Sequence, residues 1–389
     1  MHTILTERSA VTKRPYGSPG MDFGLLAGVL ALVVCGLPAI YSASHITDGA
    51  GKVLRQGIWA GAGLLALLVM ACVDYRVWTR YWRIFYLGIL VALIGVFFTR
   101  PINGARCWFD IGAFRVQPSE FAKVFLILAF AALLMRVGAK LSAIPVFLRC
   151  IAFFMLPTLL VLEQPDLGMA VIMCVICFAM VAFAGTRWWL LLSTFLCAVL
   201  FVIFAWHVRL PGGHSLIKDY QKRRLDFLHA DPAGSGYHQR QARIAIGAGE
   251  IWGKGYLNGT QARRGFLPEQ DTDFIFAVIG EEFGLLGCTL VLGLQLFVLF
   301  RILRIAEGAE TPFGQLIAGG IAAMLAMHAI INIGMCLTLL PVSGIPLPFI
   351  SYGGSNLMTN LMAIGLVLNI SRHQQSQRQW APTEELVRL

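Results

Sequence analysis

Residues 167–208 read LGMAVIMCVICFAMVAFAGTRWWLLLSTFLCAVLFVIFAWHV, and Arg187 is the one Asp, Glu, Lys or Arg among them. On either side of the Thr186-Arg187 pair lies a run of about 20 apolar residues, the length that an α-helix needs to cross a hydrocarbon core of about 30 Å. The apolar positions are continuous rather than alternating, so they do not match the strands of a membrane β-barrel. This stretch therefore predicts two membrane-spanning helices joined by a tight turn.

Apolar runs of the same kind recur along the whole chain. Of its 389 residues, 57% are hydrophobic and 13% are charged, whereas soluble domains carry about 25% charged residues. This composition excludes an ordinary soluble enzyme, a disordered chain and a fibrous repeat. The sequence predicts an all-α polytopic membrane protein with about ten transmembrane helices, near 22–44, 55–73, 81–99, 119–136, 144–162, 167–185, 188–208, 273–300, 313–338 and 347–370.

The distribution of positive charge predicts the orientation of these helices. An even number of spans places both termini on one side, and fifteen Lys and Arg residues then lie in short segments on that side against five on the other. Cytoplasmic loops carry the excess of Lys and Arg, so both termini are expected in the cytoplasm. The same rule explains the net charge of +10 without a nucleic-acid partner. The chain thus divides into a cytoplasmic N-terminal segment at 1–21, a membrane domain at 22–371 and a cytoplasmic tail at 372–389.

The longest connection, residues 209–272 between the seventh and eighth helices, is expected to form one large loop on the outer face. It carries ten basic and six acidic residues. Connections of this length without regular structure are uncommon, and they are usually functional or separately folded. Eight of the nine cysteines lie instead in apolar runs, so Cys174 and Cys177 are expected to be packing residues, and no disulfide or metal-ligand pattern is found.

The fourth helix begins with Gln117-Pro118-Ser119-Glu120, followed by Lys123. Pro118 suits a first helical turn, and Glu120 there complements the helix dipole. Glu120 and Lys123 are three residues apart and can therefore pair on one face of the helix. The pattern leaves two readings open: a helix cap with a local ion pair, or the charged lining of a cavity near the outer surface.

The end of the long loop holds the densest group of acidic residues. Asp273 lies where the loop meets the eighth helix, and it is either a cap for that helix or a general base in a partly dry pocket. Glu281 and Glu282 lie about 12 Å further along the same helix. Acidic residues inside a span are candidate functional residues, and hydrogen bonding between helices is the competing explanation.

Further polar residues interrupt the later spans. Residues 341–354 contain three prolines and three glycines, and such irregular backbone is tolerated at membrane depth only inside the protein or beside a wet cavity. His328 and Asn332 share one helix face and are expected to form hydrogen bonds between helices. Asn356 and Asn360 also share one helix face and are likewise expected to form hydrogen bonds between helices.

Taken in order, these motifs resemble the SEDS family (shape, elongation, division and sporulation) of bacterial cell-wall polymerases over residues 22–371. The resemblance rests on Asn103-Gly104-Ala105-Arg106, Gln117-Pro118-Ser119-Glu120 with Lys123, Gln164-Pro165-Asp166-Leu167-Gly168, Gly234-Ser235-Gly236-Tyr237, Gly253-Lys254-Gly255, Phe266-Leu267-Pro268-Glu269, Thr272-Asp273-Phe274 and Ser351-Tyr352-Gly353-Gly354-Ser355. The match is closer to the elongation branch than to the division branch at Gly259-Thr260-Gln261, Asn332-Ile333-Gly334-Met335, Leu340-Pro341-Val342 and Ile345-Pro346-Leu347-Pro348.

The resemblance implies a peptidoglycan glycosyltransferase that polymerises lipid II at the outer face of the bacterial cytoplasmic (inner) membrane during cell elongation. It implies that Asp273 is the essential aspartate and that Glu120 and Lys123 line the same cavity. Arg106, Lys254 and Glu269 are the further residues expected to bind substrate. The implied partners are a class B penicillin-binding transpeptidase and the rod-complex proteins MreB, MreC and MreD.

The chemistry of such a reaction fits the residues. The lipid II donor already carries a pyrophosphate leaving group, so the site needs a base for the acceptor hydroxyl and positive charge for the departing pyrophosphate. Asp273 can supply the first, and loop Arg and Lys residues or a divalent cation, Mg or Mn, can supply the second. Two alternatives are a flippase for lipid-linked sugars and a non-catalytic scaffold that activates a transpeptidase. The chain departs from the family pattern at Cys107, at 247–250 and at Asp271.

Overall fold

The computed structural model describes residues 21–101, 105–112, 114–207, 235–263, 266–267 and 269–376. Nearly all of the predicted N-terminal segment 1–21 lies outside these residues, as do 208–234 of the long loop and the tail beyond 376. The motif residues Asn103, Gly104, Gly234 and Pro268 lie outside them as well.

The described chain is almost entirely helical. The helices are α1 (Phe23–Ser44), α2 (Gly49–Cys72), α3 (Trp78–Gly95), α4 (Pro118–Val137), α5 (Ile144–Glu163), α6 (Leu167–Phe183), α7 (Trp188–His207), α8 (Ser235–Ala248), α9 (Thr260–Arg263), α10 (Ile275–Glu307), α11 (Pro312–Cys336) and α12 (Gly354–Ser376). Short 3-10 turns occupy Tyr75–Val77, Val96–Phe98 and Gly138–Ser142.

Each of the ten apolar segments predicted from the sequence contains a helix, which confirms the all-α membrane class. Within the described residues, seven helices are long and apolar enough to cross a membrane, and the shorter apolar helices Leu167–Phe183 and Trp188–Leu200 accompany them. The exact number of membrane crossings therefore stays a prediction. The largest boundary differences are seven residues each: the last helix begins at Gly354 rather than near 347, and α10 ends at Glu307 rather than near 300.

Helix α11 lies at the centre of the bundle. It packs against α10 and α6 most extensively, and it also contacts α4, α12 and α8. Helix α12 packs chiefly against α2, and α1 packs against α10. At the periphery, α7 presents Leu192, Leu196 and Leu200 on its exposed surface, as expected for a helix that faces lipid. Both α4 and α10 therefore meet the same central helix.

Two pieces of regular structure lie outside the predicted spans. A short antiparallel hairpin pairs β1 (Phe109–Ile111) with β2 (Phe114–Val116) just before α4. Helix α8 occupies part of the predicted outer loop and buries Ala242 and Ala245 against α10 and α11. These two alanines are three residues apart and thus lie on one helix face.

Candidate active site

Asp273 lies in the tight turn that leads into α10. Its backbone N–H donates to the carbonyl oxygen of Glu269 at 2.9 Å, and Glu269 itself has a positive φ of 49°. The Asp273 side chain is half-buried, whereas Phe274 and Ile275 immediately after it are fully enclosed. The carboxylate is therefore placed at the boundary between the accessible surface and the packed interior.

The proline- and glycine-rich segment 341–353 passes beside this carboxylate. At Gly344, which has a positive φ of 67°, an added methyl group would lie 3.5 Å from Asp273 Oδ2. Gly168 at the start of α6 meets the same segment, since an added methyl group there would lie 2.9 Å from the carbonyl oxygen of Ser343. Any side chain at Gly344 would therefore narrow the space in front of the Asp273 carboxylate.

Side chains from neighbouring helices satisfy the irregular backbone of 341–353. Gln295 Nε2 donates to the carbonyl oxygen of Pro348 at 2.8 Å, and Gln56 Nε2 donates to that of Ser351 at 3.2 Å. Ser351 Oγ accepts from the N–H of Leu347 at 2.8 Å. These bonds agree with the expectation that such backbone at membrane depth is enclosed by protein.

Asn332 of α11 joins Asp273 to this segment. Its Nδ2 donates to the carbonyl oxygen of Asp273 and to that of Ile345, both at 2.8 Å. Asn332 is fully buried. One amide group thus fixes the backbone at Asp273 and the backbone next to Gly344 at a set distance from each other.

Asp271 is occupied by an ion pair with a residue far away in the sequence. Lys52 Nζ of α2 lies 2.6 Å from Asp271 Oδ2, and the Asp271 side chain is largely buried. The backbone N–H of Tyr352 donates to the Asp271 carbonyl oxygen at 2.9 Å. Lys52 therefore balances the charge of Asp271, which is one of the positions where the chain departs from the family pattern.

Glu120 and Lys123 form an ion pair of 2.8 Å, and both side chains are enclosed in the bundle. Lys123 Nζ also lies 2.6 Å from His328 Nε2, and Asn356 Nδ2 donates to the Glu120 carboxylate at 3.1 Å. The local pair predicted from the spacing is present, and it belongs to a buried network that reaches three helices. A role for these residues in binding substrate stays a prediction.

The other residues expected to bind substrate lie apart from this network. Arg106 is exposed and donates from Nη1 to the Phe97 carbonyl oxygen at 2.9 Å. Glu269 is exposed in the turn before Asp273. Lys254 Nζ lies 2.8 Å from Glu281 Oε1, so its charge is already balanced. The structure therefore places Glu269 beside Asp273 and pairs Lys254 with a carboxylate of α10.

Helix α10 is broken one turn after Glu281. Gly284 has φ 62° and ψ −156°, which interrupts the helical hydrogen bonds. The N–H of Leu285 donates to the carbonyl oxygen of Glu250 at 2.9 Å, and the N–H of Lys254 donates to that of Glu281 at 3.0 Å. The 249–261 segment, which belongs to the predicted outer loop, thus inserts its backbone into the break in α10.

The two acidic residues at the break hold the same segment by their side chains. Glu281 accepts from the N–H and Oγ1 of Thr260, both at 2.8 Å, and from the N–H of Gln261 at 3.1 Å. Glu282 accepts from Ser42 Oγ of α1. These contacts favour a structural role for Glu281 over a catalytic one, because its carboxylate is buried and accepts hydrogen bonds from the 249–261 segment.

Cys107, one of the departures from the family pattern, is buried beside the 164–168 turn. Its Sγ donates to the carbonyl oxygen of Gln164 at 2.9 Å. Burial, with a smaller contribution from the charge of Asp166, raises the pKa of the Cys107 thiol to about 12. Such a thiol is protonated at neutral pH and is a poor nucleophile.

The described residues do not form a complete set of protein ligands for a divalent cation. No group of three or more His, Cys, Asp or Glu side chains is arranged there to hold a metal ion. Mg²⁺ is commonly bound by one or two carboxylates together with substrate phosphates. A cation of that kind stays a proposal.

The site also contains residues that the sequence did not single out. Lys52 and Gln56 of α2 reach the turn at 269–273 and the 341–353 segment respectively. They lie one turn apart on one helix face, which is a pattern visible in the sequence. Their partners are more than 200 positions away, so the sequence offered no means of identifying them.

The chain is similar to known proteins over most of its length. A family model described as a cell cycle protein, FTSW_RODA_SPOVE, matches residues 23–376. The peptidoglycan glycosyltransferase MrdB of Escherichia coli strain K12 is 37% identical over 359 residues, covering 91% of this chain and 94% of that protein.

Two solved structures are also similar. One, described as "Structural coordination of polymerization and crosslinking by a peptidoglycan synthase complex", has a TM-score of 0.77 and 30% identity and covers 91% of this chain and 98% of that chain. The rod shape determining protein RodA of Thermus thermophilus has a TM-score of 0.68 and 28% identity, covering 91% of this chain and 97% of that chain.

Proposed function

The chain belongs to the FtsW, RodA and SpoVE family, which is the SEDS family, and from that premise we infer that it is a peptidoglycan glycosyltransferase. The family model matches residues 23–376, and the alignments with MrdB and with the synthase-complex structure each cover 91% of this chain. The resemblance drawn from the sequence motifs is thus confirmed. The substrate, the roles of individual residues and the partners are part of the proposal.

We propose that the enzyme polymerises lipid II and that Asp273 is its general base. The supporting observation is the placement of Asp273: a half-buried carboxylate at the start of α10, with its backbone fixed by Asn332 and open space kept by Gly344.

The proposed reaction is a single displacement at the anomeric carbon of the donor. The acceptor sugar hydroxyl attacks that carbon, its proton passes to an Asp273 carboxylate oxygen, and the bond to undecaprenyl pyrophosphate breaks. One attack from the face opposite the leaving group inverts the anomeric centre. The pyrophosphate departs with the electron pair, so the reaction needs positive charge near it, from loop Arg and Lys residues or from a divalent cation.

The proposal places the enzyme in the bacterial inner membrane with both termini in the cytoplasm and the 209–272 connection outside. A multi-pass helical bundle supports the membrane location, and the positive-inside count supports the orientation. The similar synthase complex supports a class B penicillin-binding transpeptidase as the partner. Association with MreB, MreC and MreD in the rod complex belongs to the same proposal.

A reconstitution separates this function from its alternatives. Purified protein in liposomes is given lipid II, with and without the transpeptidase of the same organism. A glycosyltransferase forms glycan polymer, a flippase moves lipid II across the bilayer without polymer, and a scaffold does neither while it stimulates crosslinking. Absence of polymer in the presence of the transpeptidase would contradict the proposal.

A further inference from the structure

Helix α11 carries two fully buried polar side chains that no step of the reaction described above uses. His328 and Asn332 are both 0% exposed. They are four residues apart, so they lie on one face with a rise of about 6 Å between them. His328 contacts Lys123 of α4, and Asn332 contacts the backbone of Asp273 in the turn before α10, so this face lies between Lys123 and Asp273.

Asn332 acts on the backbone of the proposed base. Its Nδ2 carries two hydrogens, and both are used, one on the Asp273 carbonyl and one on the Ile345 carbonyl. Its Oδ1 is buried without a hydrogen-bond partner among the described residues. An unsatisfied buried carbonyl costs free energy that an apolar residue such as leucine would avoid. We therefore attribute the role of Asn332 to its hydrogen bonds with the carbonyl groups of Asp273 and Ile345, and not to side-chain packing.

His328 acts on the buried ammonium group. Lys123 Nζ lies 2.6 Å from His328 Nε2 and 2.8 Å from Glu120 Oε2. An ammonium group can only donate, so His328 Nε2 must accept and the imidazole must be neutral in this contact. Without His328, Lys123 would keep Glu120 as its single acceptor in the hydrogen bonds found here.

We propose that His328 and Asn332 are positioning residues that set the distance between Asp273 and Lys123 from one rigid helix face. This rests on the proposed role of Asp273 as the general base. Two groups held by adjacent turns of one helix keep a fixed separation, and such preorganisation determines how well a reacting geometry is reached. A misplacement of about 1 Å can cost about 10²-fold in rate.

The first test uses Asn332→Leu, which keeps the side-chain volume and removes both donors. We expect kcat for lipid II polymerisation to fall about 10- to 100-fold while KM changes less than about threefold, since substrate contacts are untouched. Gln315→Leu is the matched control, because it removes an exposed amide from the same helix far from Asp273. If Asn332→Leu does not fold, Asn332→Ser is used instead, because the shorter serine side chain does not reach the carbonyl groups of Asp273 and Ile345.

The second test uses two replacements of His328. His328→Gln keeps an uncharged acceptor for Lys123, and His328→Leu removes it. We expect His328→Gln to retain most of the parent kcat and His328→Leu to lose at least tenfold, with both proteins equally abundant in the membrane. A merely structural role would alter the amount of folded protein and leave kcat per folded molecule equal in the two variants.

The outcomes distinguish this inference from the function on which it rests. Near-parent polymerisation by Asp273→Asn would overturn the proposed base and this inference with it. A strong loss in Asp273→Asn together with parent kcat in both Asn332→Leu and His328→Leu would overturn the positioning role alone.

Discussion

Replacement of Glu281 separates a structural role for the acidic residues of α10 from a catalytic one. Its carboxylate is enclosed and accepts from Thr260, Gln261 and Lys254. In Glu281→Gln, one oxygen remains as an acceptor, and the amide nitrogen faces at least one donor. Charge-assisted hydrogen bonds contribute about 1.5–3 kcal/mol and neutral ones about 1 kcal/mol.

The expected loss follows from those contacts. Four weakened bonds, from Lys254, the N–H and Oγ1 of Thr260 and the N–H of Gln261, would lose about 3 kcal/mol in total, but Lys254 is 29% exposed and can turn to water. We therefore expect the local stability of the 249–261 segment to fall by about 2 kcal/mol, which corresponds to about 30-fold faster amide exchange there. Because Asp273 is intact, polymerisation should fall less than about tenfold.

Hydrogen exchange measured by mass spectrometry on the purified protein tests this expectation. Glu307→Gln is the matched control, since Glu307 is an exposed carboxylate at the other end of α10. Unchanged exchange over 249–261 in Glu281→Gln would refute the loop contacts. Complete loss of polymerisation with the segment still protected would refute the structural role and point to Glu281 as a base.

Three further predictions concern the network, the thiol and the topology. Lys123→Ala should insert and fold in the membrane yet polymerise at a sharply reduced rate, because the buried Glu120 loses its ammonium partner. Full activity of this variant in a polymerisation assay would indicate that Glu120 and Lys123 only cap the helix. Cys107 should not react with a maleimide at pH 7 in the native protein, since its thiol is protonated and buried, and labelling before denaturation would contradict this. In a cysteine-free background, Ser215→Cys should be labelled by an impermeant reagent on intact spheroplasts, and protection there with labelling of a tail cysteine would reverse the orientation.

The helices could be predicted because a run of about 20 apolar residues has few alternatives in a bilayer, where the backbone must satisfy its own hydrogen bonds. The start of α12 was predicted about seven residues too early for the same reason. Leu347 and Ile350 are apolar and fully buried, but they lie in irregular backbone. Hydropathy measures burial, and it does not distinguish a buried loop from a buried helix.

The site was predictable only in part. Asp273, the Glu120 and Lys123 pair and Asn332 were identified from motifs and spacing. Lys52 was not identified, and neither was the partner of Asn332, because both contacts join residues distant in the sequence. Glu281 was visible as a charge in a span, but its contacts with the 249–261 segment depend on the break at Gly284. Pairings of this kind are set by tertiary packing, and local spacing carries no information about them.

The most direct measurement of the central claim is the rate of lipid II polymerisation by purified Asp273→Asn with its transpeptidase partner. The variant keeps the shape of the side chain and removes its basicity, and general bases contribute about 10²–10⁴-fold. Asp48→Asn is the control, because Asp48 is an exposed carboxylate paired with Arg55. We expect Asp48→Asn to polymerise at the parent rate and Asp273→Asn to fall at least about 100-fold while still binding the partner. Polymer formation by Asp273→Asn near the parent rate would contradict the account and place the base elsewhere.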